Sequence, residues 1–129
     1  AKAACEEFKK GGYEFGVLCC GTGIGISICA NKIDGIRCAL PQNCYAAAMC
    51  KEHNDANFIA FGGRIDYPQP VLDMLDSYIN TDVSMDERHV RRRDKGYNRG
   101  VTVSKQPLAA KSQKAIATAE NKNNHFFCK

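Results

Sequence analysis

A cysteine set directly before three alternating glycines, Cys20-Gly21-Thr22-Gly23-Ile24-Gly25, is the first stretch of this 129-residue chain that could do chemistry. The loop follows the apolar run EFGVLCC (14–20) and leads into residues 24–31, which have helical character. Backbone N–H groups gathered at a helix N-terminus attract any anion, including an oxyanion made during a reaction. A thiol at the strand end in front of that positive terminus gains thiolate character. Cys19 alternates to the other face of the strand and is assigned to the core. Taken alone, Cys20 reads first as another buried thiol, whereas tight turn packing is the lesser reading of the glycines. GTGIG is also half a dinucleotide fingerprint, but no acidic residue closes a second strand at the required spacing. The lysine of a phosphate-binding loop is missing too, so a nucleotide-binding module is disfavoured.

Two further clusters lie downstream. EHNDAN (52–57) gathers His53, Asn54, Asp55 and Asn57 just before an apolar run, where each polar group needs a partner or a ligand. A lone histidine at a helix C-terminus often serves only the helix dipole. DERHVRRRDK (86–95) sets Arg88 and Arg92 on one helical face and Arg91 and Lys95 on another. Forked guanidinium groups suit a phosphate dianion. By itself the segment reads as a solvated charged helix, partly neutralised by Asp86, Glu87 and Asp94.

The elements that must position these groups alternate. EFGVLCC, IRCAL (36–40) and NFIAFGG (57–63) read as buried strands. Helices are predicted over 24–31, over 44–53 with Asn43 as cap, over 68–79, and over 86–95. AKAACEEFKKGG at the start looks like the last turns of an amphipathic helix. Alternation of this kind implies an α/β fold with right-handed crossovers and a parallel sheet. Cys20-Gly21-Thr22, Leu40-Pro41-Gln42 and Gly62-Gly63-Arg64 then share one crevice at the strand carboxyl ends.

Composition narrows the classes. Residues 1–104 hold 13 Lys/Arg against 13 Asp/Glu, and residues 105–129 hold 5 Lys against Glu120 alone, so the net charge of +4 belongs to the tail. The body is not a basic nucleic-acid binder, and no partner of that kind is expected. No apolar run is long enough for a bilayer, and no secretory leader is recognised. Eight cysteines, several inside apolar periodic segments and none in C-x-x-C pairs, read as reduced thiols of a cytoplasmic protein with no metal site.

Together, CGTGIGISICANKIDGIRCAL (20–40), KEHNDANFIAFGGRI (51–65) and ERHVRRR (87–93) resemble the type B ribose-5-phosphate isomerase family, which includes galactose-6-phosphate isomerase subunits. The resemblance covers residues 1–95. It implies a three-layer doubly wound (Rossmann-like) parallel sheet, a homodimer or larger homo-oligomer with sites built between subunits, a small-molecule sugar phosphate as substrate, and no metal or organic cofactor. Residue by residue, it makes Cys20 the enolisation base. Gly21, Thr22, Gly23 and Gly25 form the loop around an enediolate, with Thr22 counted among the catalytic residues. His53 assists ring opening, and Asn54 binds substrate oxygens. Arg64, Arg88 and Arg92 are linked to the phosphate end, some reaching in from the partner. A second branch of the family carries a glutamate base where Ile26 stands, which points to the cysteine branch.

Family members begin with a strand ending in an Asp-His pair and a second strand, both ahead of the helix at which residue 1 falls. The expectation is therefore an N-terminally truncated sheet whose strand 14–20 is an exposed apolar edge. Residues 96–129 read as a polar, lysine-rich, mobile extension with some helix over 108–120. The function expected is interconversion of ribose 5-phosphate and ribulose 5-phosphate. The alternatives are a hexose-6-phosphate (galactose-type) isomerase and a non-catalytic remnant or partner subunit.

Overall fold

The computed structural model describes residues 1–97 and the strands at 115–120 and 126–128. In chain order the elements are α1 (Lys2–Lys9), β1 (Phe15–Cys20), α2 (Ile24–Asn31), β2 (Cys38–Ala39), α3 (Cys44–Asn54), β3 (Phe58–Gly62), α4 (Val71–Ile79), α5 (Glu87–Tyr97), β4 (Ala115–Glu120) and β5 (Phe126–Cys128). One five-stranded sheet runs β2-β3-β1-β4-β5. Its first three pairings are parallel, and only β5 runs antiparallel, against β4.

Side-chain alternation along the strands builds a layer on each face of the sheet. Leu18, Phe58 and Ala60 meet Ala4 and Cys5 of α1 and Ile26 and Ala30 of α2. Phe15, Ile59 and Phe61 meet Ala47 of α3 and Met74 and Tyr78 of α4. β3 is buried along its whole length, as a strand covered on both faces must be. Gly16 allows the closest approach: a Cβ there would overlap the Phe58 ring. Tyr78 resolves its own burial by donating from its hydroxyl to the Ala56 carbonyl at 2.7 Å.

Over residues 1–97 every sequence-predicted element is present, although the helix expected over 68–79 begins at Val71 and one strand is cut short. Of IRCAL only Cys38–Ala39 pairs as strand. The Arg37 carbonyl instead accepts from the amides of Asn57 and Phe58, and the Arg37 amide donates to Asn57 Oδ1 at 2.7 Å. Pro41 then removes the next backbone donor. Asn43 caps α3 as expected, its Oδ1 accepting from the Ala46 amide at 2.8 Å.

The C-terminal extension departs from expectation. Residues 115–120, expected as part of a helix, form strand β4 and pair in parallel with β1 from Phe15↔Ala115 to Cys19↔Ala119. β1 is therefore the central strand of five and not an exposed edge. The physical reason is the row of backbone donors and acceptors that β1 presents on the side away from β3. Residues 98–114, 121–125 and 129, where the mobile-tail reading also fell, lie outside the described residues.

Candidate active site

The loop after β1 is held by backbone geometry. Gly23 is the N-cap of α2 with φ +76°, and a Cβ there would lie 2.9 Å from the Phe61 carbonyl carbon. Both the dihedral and the close approach demand glycine. This turn folds the chain back so that the Gly23 N–H donates to Cys20 Sγ at 3.2 Å. A sulfur anion is a better acceptor for such a bond than a neutral thiol. Cys20 lies on the α1/α2 face of the sheet, half-buried, while Cys19 faces the opposite way and is half-buried too. Burial pushes the Cys19 thiol above its ordinary range, with the neighbouring Cys20 adding to the shift. Thr22 is exposed, and its Oγ1 accepts from the Ile24 amide at 3.3 Å. Gly25 is exposed with open space where a Cβ would stand. Ile26 turns into the core instead of the crevice.

The loop after β3 is laced to this one. The Gly63 amide donates to the Cys20 carbonyl at 2.8 Å and the Arg64 amide to the Gly21 carbonyl at 3.0 Å. Arg64 thereby brings its guanidinium to within 3.7 Å of the space a Gly21 Cβ would fill. The Gly62 amide donates to Tyr67 Oη at 2.8 Å, which pins the start of the same turn. Cys20, the glycine loop and an exposed arginine thus form one group at the carboxyl ends of adjacent strands, the place where α/β sheets bind ligands.

The polar cluster at 52–57 divides. Asp55, the α3 C-cap in the left-handed region at φ 48°, pairs with Arg37 Nη2 at 2.9 Å and with Lys51 Nζ at 3.2 Å. Asn57 donates from Nδ2 to the Gly35 carbonyl at 2.8 Å in addition to holding Arg37. These two residues tie the exit of α3 to the entry of β2. His53 is half-buried and Asn54 exposed, leaving them as the members of the cluster able to meet a ligand.

α5 presents two neighbouring faces. Arg88 and Arg92 are exposed, with Arg88 3.6 Å from Asp86. The adjacent face, His89 and Arg93, packs on α3. The His89 ring stacks on His53 with centroids 4.1 Å apart and planes 9° from parallel. Arg93 Nη1 donates to the carbonyls of Ser84 at 3.0 Å and His53 at 3.3 Å, and the Ser84 amide donates to the Glu52 carbonyl at 2.8 Å. The sequence reading did not single out His89 or Arg93. Their i, i+4 spacing was visible, but a second basic residue on such a helix looks no different from its solvated neighbours.

Among the described residues no cluster of His, Cys, Asp and Glu could hold a metal ion, and no helix is long and apolar enough to cross a membrane.

A doubly wound sheet with a cysteine-glycine loop at its crest defines the class as a Rossmann-like α/β protein. Residues 1–95 match the family described as Ribose/Galactose Isomerase, and the chain belongs to that family. It is 38% identical over 84 residues to ribose-5-P isomerase B of Listeria innocua, a match covering 65% of this chain and 57% of that protein. Galactose-6-phosphate isomerase subunit LacB of Clostridium acetobutylicum is 44% identical over 78 residues, covering 60% of this chain and 45% of the relative. The type B ribose 5-phosphate isomerase structure from Trypanosoma cruzi superposes with a TM-score of 0.68 at 42% identity, covering 73% of this chain and 63% of that one. The chain thus spans about half the length of the curated relatives it matches.

Proposed function

We propose that this chain is the core of an aldose–ketose isomerase that interconverts ribose 5-phosphate and ribulose 5-phosphate. The observation that carries the reading is the 3.2 Å hydrogen bond from the Gly23 amide to Cys20 Sγ, at a strand end that Arg64 also reaches. Interconversion moves a proton between neighbouring carbons through an enediolate. It needs one base and oxyanion donors already in place. Cys20 removes the proton from C2 of the open-chain aldose and returns it to C1. The turn from Gly21 through Thr22 and Gly23 to Gly25 supplies dipoles for the enediolate oxygens. His53 moves the proton that opens the ring, and Asn54 holds sugar hydroxyls. Arg64 binds the phosphate end, and the exposed Arg88 and Arg92 extend to the phosphate in a second protomer's site. The working form is accordingly a cytoplasmic homodimer or larger homo-oligomer.

A galactose-type hexose 6-phosphate is the second reading, supported by the similarity to a galactose-6-phosphate isomerase subunit. The test is incubation of the chain with each sugar phosphate in D2O. Ribulose 5-phosphate carrying deuterium at C1 is the expected product. Exchange only with the hexose moves the assignment to the second reading, and no exchange with either overturns an enzymatic one.

A further inference from the structure

We propose that His89 is a positioning residue for His53: its ring forms a dry, neutral platform that fixes the His53 ring plane and confines the pair to at most one positive charge. The inference rests on the ring-opening role proposed for His53 and concerns a residue to which that reading gives no part.

Geometry carries it. The two imidazoles stack at 4.1 Å with only 9° between their planes. His89 is 4% exposed, and its Nε2 is buried without a hydrogen-bond partner. If Nε2 carried a proton, that buried donor would have no acceptor, and in the imidazolium form the ring would bear an uncompensated charge as well. As a neutral ring protonated on Nδ1, His89 leaves at Nε2 only a lone pair unmet, which costs less there than an unmet donor. Two imidazolium rings face to face at this separation would repel strongly, so the stack tolerates one charge and not two. His53 is the half-buried ring of the two, and Glu52 Oε1 stands 3.5 Å from its Nε2.

The surroundings agree. From α5, Arg88 and Arg92 oppose a charge on His89, Asp86 just ahead of that helix favours it, and from α3 the His53 ring opposes it. Burial is the largest influence, and the outcome is a His89 imidazole whose proton affinity lies below the ordinary histidine range. Arg93 reinforces the arrangement from the same helix face by clamping the His53 carbonyl at 3.3 Å.

Two measurements on the full chain test the proposal. In a histidine-resolved NMR titration, His89 of the wild-type chain should titrate below the ordinary histidine range. In His53→Phe, which keeps an aromatic partner and removes the charge, the His89 midpoint should rise by about half a unit or more. An unmoved midpoint in the ordinary histidine range overturns the singly charged pair. In ring-opening kinetics on cyclic ribose 5-phosphate, His89→Ala should lose about 10- to 100-fold in kcat, and His89→Phe should recover most of it by restoring the stack. Equal loss in both variants, or no loss in His89→Ala, overturns the positioning role. If wild type itself shows no isomerisation, the proposed function fails. The titration still decides whether the pair behaves as described.

Discussion

The amide of Gly23 donates to the sulfur of Cys20 across a turn of three residues, and this contact exists because Gly23 adopts φ +76° against the end of β3. A side chain at position 23 would disturb the dihedral, the packing and the sulfur contact together. Gly23→Ala should therefore lower stability by about 1–3 kcal/mol, measured by urea denaturation. It should also lower kcat even where the protein remains folded. A variant as stable and as active as wild type would show that the turn does not hold the sulfur in place.

Cys20 is half-buried at the strand end, so a small replacement costs the fold little. Cys20→Ala should abolish solvent-proton exchange at the sugar carbon while urea midpoints stay near wild type. Retained exchange removes Cys20 from the role of base.

Arg64 is exposed, and its guanidinium borders the space beside Gly21, so its contribution should appear in substrate binding. Arg64→Ala should raise KM for a sugar phosphate by at least ~10-fold, the equivalent of one charge-assisted contact. Arg88→Ala with Arg92→Ala should raise KM by a similar factor of ~10 if the two reach a phosphate across a protomer boundary. An unchanged KM in the double variant would place them on a solvated face.

Stability should fall on mild acidification. His89 titrates below its ordinary value of 6.5, mainly because burial disfavours its charged form. The unfolded chain therefore takes up this proton first. The stabilising contribution is complete above about pH 6.5 and declines as the pH drops toward the lowered folded-state value. Denaturation midpoints at pH 7.5 and 5.5 should differ less in His89→Phe than in wild type. An equal pH dependence would show that His89 is not the source.

The thiols should divide by environment. Burial pushes Cys38 up to about 12 and Cys50 to about 11, whereas Cys29 is exposed. At pH 8, iodoacetamide followed by peptide mapping should label Cys29 readily and leave Cys38 and Cys50 unmodified until the chain is denatured. Rapid native labelling of Cys38 would contradict the packing of β2.

Much of this architecture was legible beforehand because its signals are local. EFGVLCC and NFIAFGG are apolar runs closed by glycine, and Asn43 announces the start of α3, so the strands and the loop between Cys20 and Gly25 follow from short segments. Two features depend on contacts distant in sequence. β4, with the sequence AIATAE, has weak local strand character and is defined by the open side of β1. The division of EHNDAN was hidden for the same reason. Nothing near Asp55 in sequence reveals that Arg37 will arrive beside it, or that His89 will cover His53. Side chains whose partners lie elsewhere look alike in a linear reading, whether they end as struts or as tools.

The pairing of β1 with β4 joins residues about a hundred positions apart, from Phe15 with Ala115 onward. During synthesis the ribosome releases β1 well before the strand that will lie beside it, an interval of roughly 5–20 s at ordinary elongation rates. Throughout that interval the nascent sheet presents an unfinished central strand. The polypeptide is thus most in need of chaperone protection late in translation, and a stall before residue 115 would release a species prone to self-association.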